Sequence, residues 1–520
     1  MTSLLTRFAA HVDAAPYAPA LVDMNRRVIS RHHLLAAACR IAAQLHALGV
    51  RSGSVVALRA TVCDPVWHAV DLAALMCGAV PAALPERATN ADIAAALRVL
   101  NPACVIDRDP SLTLVAAGRA VGVPVLDPAG FGSSACHRLD EHLRAARSAS
   151  GTSGACVIAT SGSTGVPRFV LISQAGLIAG LDTWRRAWPG PARAATRTVS
   201  YLPISHIAQR IMGHHLLCLF GVAVHLATPD TLVQAIRHAR PHILLGVPHT
   251  LADLLHAATA DTTLRVALRT VSLLVNGAAA LPPATADGLR RLGLNPTSAY
   301  GLTETTVPAF HTTGDDSDGL LGAPVGPVRA RTSPTGELLL GTPYAAPYAA
   351  RYVTRWPRTT ATTDTDGWLH TGDRVTASAQ GLRLAGRIAA TIKTARGQLI
   401  APEPVEAHLC ARPDIAAACL IGHDRPHTVA LVSAPTAAQW PADRRADTEA
   451  ALRQGLRAAH HAGALPWADV HAVLIVTDDW QADPTLLTRT GKPRRRQIEA
   501  RYTAVLDAHY RRQEVTDARA

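Results

Sequence analysis

Apolar residues recur at helical spacing from residue 31 to residue 50: Leu34, Leu35, Cys39, Ile41, Ala42, Leu45 and Leu48 share one face, and Gly49 stands where such a helix would end. The continuous run Val55-Val56-Ala57-Leu58 then predicts a buried strand. This alternation recurs. The pattern predicts further helices over residues 66–77, 232–240 and 250–258, and strands at 105–106, 125–126, 243–245 and 271–275. A βαβα order predicts an α/β fold with mostly parallel sheets, because crossover helices cover both sheet faces.

From about residue 320 the texture changes to short strands among Gly, Pro and Thr, at Glu337-Leu338-Leu339-Leu340, Gly367-Trp368-Leu369 and Leu382-Arg383-Leu384. A β-barrel or small antiparallel sheet is expected there. Beyond Arg387 the pattern is mixed α+β, with a helix predicted over 444–461 and a strand over 470–476. A chain of 520 residues exceeds what one core serves, so a boundary is placed near Arg387, dividing residues 1–386 from 387–520. Residues 135–154, rich in Ser, Gly and Ala, read as a loop or surface connection.

Composition narrows the function. Hydrophobic residues at 48% and charged residues at 17% describe a folded globular chain rather than a disordered one. A formal charge of +12 suits anionic ligands such as nucleotides and coenzymes. It does not favour nucleic acid: aromatics make up only 4%, and the one dense basic cluster is Arg494-Arg495-Arg496. The nine cysteines show no CxxC pair and no Cys/His metal spacing, which predicts free thiols in a reducing cytoplasm. No signal-peptide core precedes Arg7, His11 and Asp13, and no uncharged apolar run is long enough for a bilayer, so a cytoplasmic protein is expected.

Among 51 basic residues only Lys393 and Lys492 are lysines. A compact ammonium with rotatable donors differs chemically from a flat guanidinium, which makes both positions candidates for chemistry, although drift toward arginine also explains the scarcity. Lys492 sits in the polar segment Thr490-Gly491-Lys492-Pro493, where a lysine can reach a phosphate.

The strongest local motif is an apolar strand running into Thr160-Ser161-Gly162-Ser163-Thr164-Gly165-Val166-Pro167-Arg168. Backbone amides and hydroxyls of such a loop can wrap phosphate oxygens, with glycine allowing close approach. No Gly-Lys-Ser/Thr closes it, so it is not a Walker A loop, and a solvated linker has the same composition. It precedes, in order, Tyr201-Leu202-Pro203-Ile204-Ser205-His206, Ala299-Tyr300-Gly301-Leu302-Thr303-Glu304-Thr305-Thr306, Trp368-Leu369-His370-Thr371-Gly372-Asp373, Gly386-Arg387 and Thr490-Gly491-Lys492.

In order and spacing these motifs resemble the ANL superfamily of adenylate-forming enzymes, which includes acyl-CoA synthetases, nonribosomal peptide adenylation domains and luciferase. The resemblance covers nearly the whole chain. It implies a large N-terminal domain of two layered α/β subdomains plus a small β-barrel, followed by a small mobile α+β domain. It also implies that a carboxylic acid and ATP form an acyl-adenylate, which a thiol then attacks.

Roles follow by matched position. Thr160, Ser161, Gly162, Ser163, Thr164 and Gly165 match the phosphate loop; Tyr300 the residue packed on adenine; Thr303 the hydroxyl near the α-phosphate; Glu304 the Mg²⁺ carboxylate. Asp373 matches the ribose acceptor, Arg387 a nucleotide contact at the end of the large domain, and Lys492 the catalytic lysine. Asn276, Gly277 and Ala278, with Gly301 and His206, match segments bordering the acyl pocket, and a packing role for His206 stays open. Lys393 and Gly397 match the segment the family swings into place for the thiol step, with Gly397 beside the thiol tunnel.

Three motifs depart from the family pattern. Arg168 and Phe169 stand where the phosphate loop usually continues Lys-Gly, Ala389 replaces a hinge Asp or Lys, and Pro404 replaces the first glutamate of Pro-x-Glu-Ile-Glu while Glu406 keeps the second. The expected activity is an acyl-CoA ligase using ATP, Mg²⁺ and coenzyme A, with a fatty or other hydrophobic acid suggested by the Leu-Pro-Ile-Ser-His-Ile segment. Two alternatives remain: a ligase loading a carrier-protein phosphopantetheine or an amine, and a non-catalytic nucleotide-binding member.

Overall fold

A computed structural model describes residues 3–84, 90–108, 122–128, 140, 143–144, 154–160, 168–312, 319–341, 350–396, 398–412, 414–461, 465, 470–483, 485–487 and 491–517. The first predicted helix spans Arg31–Ala47; Ser30 caps it by accepting the His33 amide, and Gly49 at φ 87° turns the chain away. Val55–Arg59 is buried at every position and pairs in parallel with Val80–Ala83 and Cys104–Asp107. Burial on both faces explains the unbroken apolar run.

These strands lie inside an eight-stranded sheet, in the order Arg358–Ala361, Arg351–Arg355, Arg168–Ser173, Gly154–Thr160, Val80–Ala83, Val55–Arg59, Cys104–Asp107 and Val125–Leu126. A nine-stranded sheet holds the predicted strands near residues 243 and 273. Ala223–Leu226, Arg197–Ser200, Ile243–Gly246, Leu273–Asn276 and Pro296–Tyr300 run parallel at its centre. Antiparallel pairs complete both edges. One large apolar core, from Leu4 and Phe8 through Trp67 and Trp184 to Leu245 and Val275, fills the space between the two sheets.

The expected antiparallel unit contains Arg329–Thr332, Glu337–Gly341, Trp368–Ser378 and Gly381–Arg387. Its inward side chains Leu338, Leu340, Leu369 and Val375 pack on Ala309, Phe310 and Leu321. After residue 387 the predicted helix and strand are Ala442–His461 and Val470–Val476. The latter joins Thr428–Ser433 and Ala417–Ile421 in a three-stranded sheet with one core against Val405, Leu409, Leu452 and Leu456, and another against Trp480, Ile498, Tyr502 and Leu506. No helix among the described residues is long and apolar enough to cross a membrane.

One polar cluster lies inside the apolar interior. The helix Val66–Met76 contributes His68 and Asp71, and the segment from Ile207 to Phe220, interrupted by the π-helical turn Ile211–His215, contributes Arg210, His214 and His215. All five are at most 1% exposed. Arg210 pairs with Asp71, and His68 Nδ1 lies 3.1 Å from His214 Nδ1. Burial, and then neighbouring positive groups, holds His68 and His215 well below their usual pKa of 6.5 and brings His214 down to about 3.

These histidines are neutral in the fold but take up protons in the unfolded chain below its usual histidine pKa. The unfolded state therefore binds more protons, and stability falls as pH drops below about 6.5. Each such histidine contributes about 1.4 kcal/mol per pH unit, and for His214 the loss continues to about pH 3. Denaturation midpoints compared at about pH 7 and about pH 5 check this, and a smaller difference is expected in His68→Gln.

Candidate active site

Strand pairing alone brings Asp373 and Arg387 together: they are direct partners between Trp368–Ser378 and Gly381–Arg387. Arg387 Nε lies 2.6 Å from Asp373 Oδ1, and the Tyr300 hydroxyl donates to Asp373 Oδ2 at 2.6 Å from the end of the nine-stranded sheet. Asp373 is 3% exposed, so its charge is compensated by the Arg387 guanidinium and a phenol in a largely desolvated place. Burial and then the Asp373 charge push the Tyr300 hydroxyl upward, which keeps it a donor. Gly372, at φ 69°, sits at the irregularity in the pairing of Trp368–Ser378 with Glu337–Gly341, and its amide donates to Glu337 Oε1 at 2.9 Å.

Lys492 arrives at this cluster from the C-terminal part of the chain. Solvent reaches the residue, yet protein atoms crowd around its ammonium. That crowding, and then Arg387, lowers its pKa from 10.5, while Asp373 and Glu403 oppose the shift. Glu403, on the helix Pro402–Leu409, also accepts the Arg387 amide at 3.4 Å. Two cations converge here, and a bound phosphate would relieve their repulsion. The donor set therefore fits a nucleotide.

Sequence reasoning overlooked the support of the lysine segment. Glu406, buried on the same helix, accepts the Leu420 amide at 2.8 Å and pairs with Arg495, which opens the helix Arg495–Arg501 just after Lys492. Burial raises the Glu406 pKa against the pull of Arg495. Pro404 leaves this contact intact, and its neighbour Glu403 supplies a carboxylate one position earlier than the family pattern does.

A second group gathers around Glu304. Thr303 and Glu304 lie in the 3-10 turn Thr303–Thr305, and Tyr352 donates its hydroxyl to Glu304 Oε1 at 3.0 Å. Burial and then Glu304 push the Tyr352 pKa to about 12. The Arg168 guanidinium carbon stands 5.7 Å from the centre of the Tyr352 ring. Gly301, just before this turn, allows a close approach: a side-chain carbon there would come within 3.0 Å of the Val307 carbonyl oxygen. One Glu304 oxygen is bonded by the tyrosine, and a carboxylate of this kind suits Mg²⁺, which takes oxygen ligands.

Thr160 and Arg168 are direct partners in an antiparallel pair and join the two ends of the expected phosphate loop. Ser161, Gly162, Ser163, Thr164 and Gly165 fall outside the described residues, as does Gly397. Phe169 is 4% exposed and packs with Val157, Val353 and Trp356 inside the sheet, so its bulk fills the core.

The remaining candidates are more scattered. Asn276 is buried at the end of its strand and donates to the Ala279 carbonyl at 2.9 Å, Ala278 holds a φ of 71°, and a side-chain carbon added at Gly277 would come to 3.7 Å from Leu245, an ordinary contact distance. A non-glycine residue in the left-handed region is strained, a feature that concentrates at ligand sites. His206 is exposed, at the start of the short helix Ile207–Arg210. Lys393 is exposed in the hairpin Ile392–Lys393 with Leu399–Ile400, and Ala389 sits in the turn Ile388–Ala390.

Residues 8–337 match the family described as AMP-binding enzyme, and residues 389–514 match the AMP-binding enzyme C-terminal domain. The chain is 26% identical to the long-chain-fatty-acid–CoA ligase FadD15 of Mycobacterium tuberculosis, with 90% of each covered. It is 29% identical to human long-chain-fatty-acid–CoA ligase ACSBG1 over 52% of this chain and 45% of that one. Its fold is similar to ATP-bound MatB from Rhodopseudomonas palustris, with a TM-score of 0.74 and 22% identity over 97% of this chain and 100% of that one. The Bacillus subtilis O-succinylbenzoate coenzyme A synthetase in complex with AMP gives the same TM-score at 17% identity, over 95% and 98%. With a motif series, a fold and a family match extending over most of its length, the chain belongs to the AMP-binding enzyme family.

Proposed function

We propose that this protein is an AMP-forming acid–thiol ligase that activates a fatty or similarly hydrophobic carboxylic acid with ATP and passes the acyl group to coenzyme A. The observation that carries the reading is the convergence of Tyr300, Asp373, Arg387 and Lys492 from three parts of the chain. In the first step a carboxylate oxygen attacks the α-phosphorus, the bond to the bridging oxygen breaks, and pyrophosphate leaves. Arg387 and Lys492 offset the charge of two approaching anions, and Asp373 accepts from the ribose hydroxyls. Glu304 would hold Mg²⁺, which supplies charge neutralisation at the phosphates. In the second step a thiol adds to the acyl carbon, the bond to the phosphate oxygen breaks, AMP leaves, and the thiol proton passes to solvent.

Residues 1–386 then form the nucleotide and acyl domain, and residues 387–520 the mobile domain. Rotation at the Ile388–Ala390 turn would exchange Lys492 for the hairpin carrying Lys393. The Glu403 contact to the Arg387 amide braces the start of this turn, where Ala389 offers no acidic or basic side chain.

Pyrophosphate exchange into ATP that depends on added fatty acids of graded length tests the reading, and no exchange with any acid would overturn it. Coenzyme A compared with a phosphopantetheinylated carrier protein as acceptor then identifies the thiol. Tyr352→Phe removes a hydrogen bond to a charged carboxylate, worth roughly 1.5–3 kcal/mol, and is expected to lower kcat/KM about tenfold or more with a raised Mg²⁺ requirement. Unchanged Mg²⁺ dependence would count against Glu304 as the metal carboxylate.

A further inference from the structure

Three histidines far apart in sequence meet at one end of the C-terminal sheet, where its central and last strands begin. His427 precedes the strand Thr428–Ser433, His471 lies in Val470–Val476, and His509 in the terminal helix Thr503–Asp517. One ring nitrogen from each lies within 4.8 Å of the others, and all three residues are half-buried. The rings of His427 and His471 are 3.9 Å apart, and that of His509 lies 5.9 and 6.0 Å from theirs.

The backbone is built to bring them together. Thr428 pairs with Val470 but Val429 pairs with Ala472, so His471 is the extra residue of a bulge in a parallel ladder, which redirects its side chain. The Tyr510 hydroxyl donates to the His427 carbonyl at 2.9 Å and joins the terminal helix to the strand, and Arg453 donates to the His471 carbonyl at 3.1 Å. The nearby guanidinium of Arg425 is neutralised by Asp507 at 3.0 Å and lies over the Tyr510 ring. Nε2 of His427 and of His509 are enclosed by protein.

We propose that His427, His471 and His509 form a binding site for a divalent transition metal, with Zn²⁺ as the ion best matched to it. An all-imidazole set suits Zn²⁺ and its neighbours, and not Ca²⁺ or Mg²⁺, which take oxygen ligands. Tetrahedral coordination at about 2.0–2.1 Å sets ligand nitrogens roughly 3.3 Å apart; the ring nitrogens lie within 4.8 Å of one another, and the near-stacked rings of His427 and His471 would turn apart to close on the ion, with water in the fourth position. The bound ion fastens the terminal helix to the strand pair.

The test uses the full chain without a polyhistidine tag, stripped with chelator and titrated with Zn²⁺ against a chromophoric competitor. One ion per chain and a raised Tm are expected, as are the visible absorption bands of four-coordinate Co²⁺ on substitution. His471→Gln and His509→Gln should each weaken binding by about 100-fold or more, since even partners that only orient a ligand cost 10–100-fold. Lys492→Ala and a His460→Gln/His461→Gln variant should bind as the parent does, the first separating this site from the ligase chemistry and the second from the chain's other histidines. No stoichiometric binding at micromolar Zn²⁺, or equal binding by folded His471→Gln and His509→Gln, would overturn the proposal.

Discussion

Lys492→Ala is expected to reduce carboxylate-dependent pyrophosphate exchange by about 10²–10³-fold, the usual cost of removing one preorganised charge-stabilising donor. The ammonium stands among Arg387, Asp373 and Glu403, and the sequence holds one other lysine, Lys393, in the hairpin Ile392–Lys393 with Leu399–Ile400. Thioester formation from a supplied acyl-adenylate should continue, because that step no longer brings a carboxylate and a triphosphate together and the proposed rotation takes Lys492 away from it. In the proposed role the protonated form acts, and crowding and then Arg387 lower its pKa from 10.5. The alkaline limb of kcat/KM, which reports the free enzyme, should accordingly fall below pH 10.5 and vanish in the variant. Exchange at the parent rate would remove Lys492 from the chemistry.

Asp71→Ala is expected to destabilise the protein by about 3–5 kcal/mol, because it leaves the Arg210 charge buried without its counter-ion. Arg210 is 0% exposed, and burial already draws its pKa down to about 9. The double change Asp71→Leu/Arg210→Met removes both charges and should recover most of the loss, since an apolar pair of similar size replaces a buried ion pair at little cost. Urea midpoints of the parent and the two variants decide the matter: a double variant as unstable as Asp71→Ala would mean that the pair shapes the helices by packing alone.

Where helices and strands are local, the sequence was readable. Arg31–Ala47 and Val55–Arg59 carry their apolar periods within a single element, and Val470–Val476 and Ala442–His461 stand where the pattern placed them. The strands Arg351–Arg355 and Arg358–Ala361 escaped notice because they complete the edge of the eight-stranded sheet, the first by pairing with Phe169, Val170 and Leu171, far away in the chain, and the second by pairing with the first. Motif register found Tyr300, Asp373, Arg387 and Lys492, whose neighbours repeat a known order. Tyr352, Glu403 and Glu406 act through contacts made only on folding, and the buried Asp71–Arg210 pair has no periodic signature at all.

Phe169 shows how a departure in sequence can be neutral in space. Read along the chain, it places an aromatic ring where glycine is usual at the end of a phosphate loop; in the fold that ring points into the sheet and leaves Arg168 to face Tyr352.

The strand carrying Tyr352 also constrains recombination. Glu304 lies in the turn that follows the strand Pro296–Tyr300 of the nine-stranded sheet, its tyrosine comes from near the edge of the eight-stranded one, and the neighbouring Val353 is registered against Phe169. A chimera with a relative that joins the two parents between Glu304 and Tyr352 would inherit the acid from one lineage and its partner from the other. Such crossovers should be viable only where both parents carry the same pairing, so the three segments behave as a single heritable unit despite lying apart in the gene.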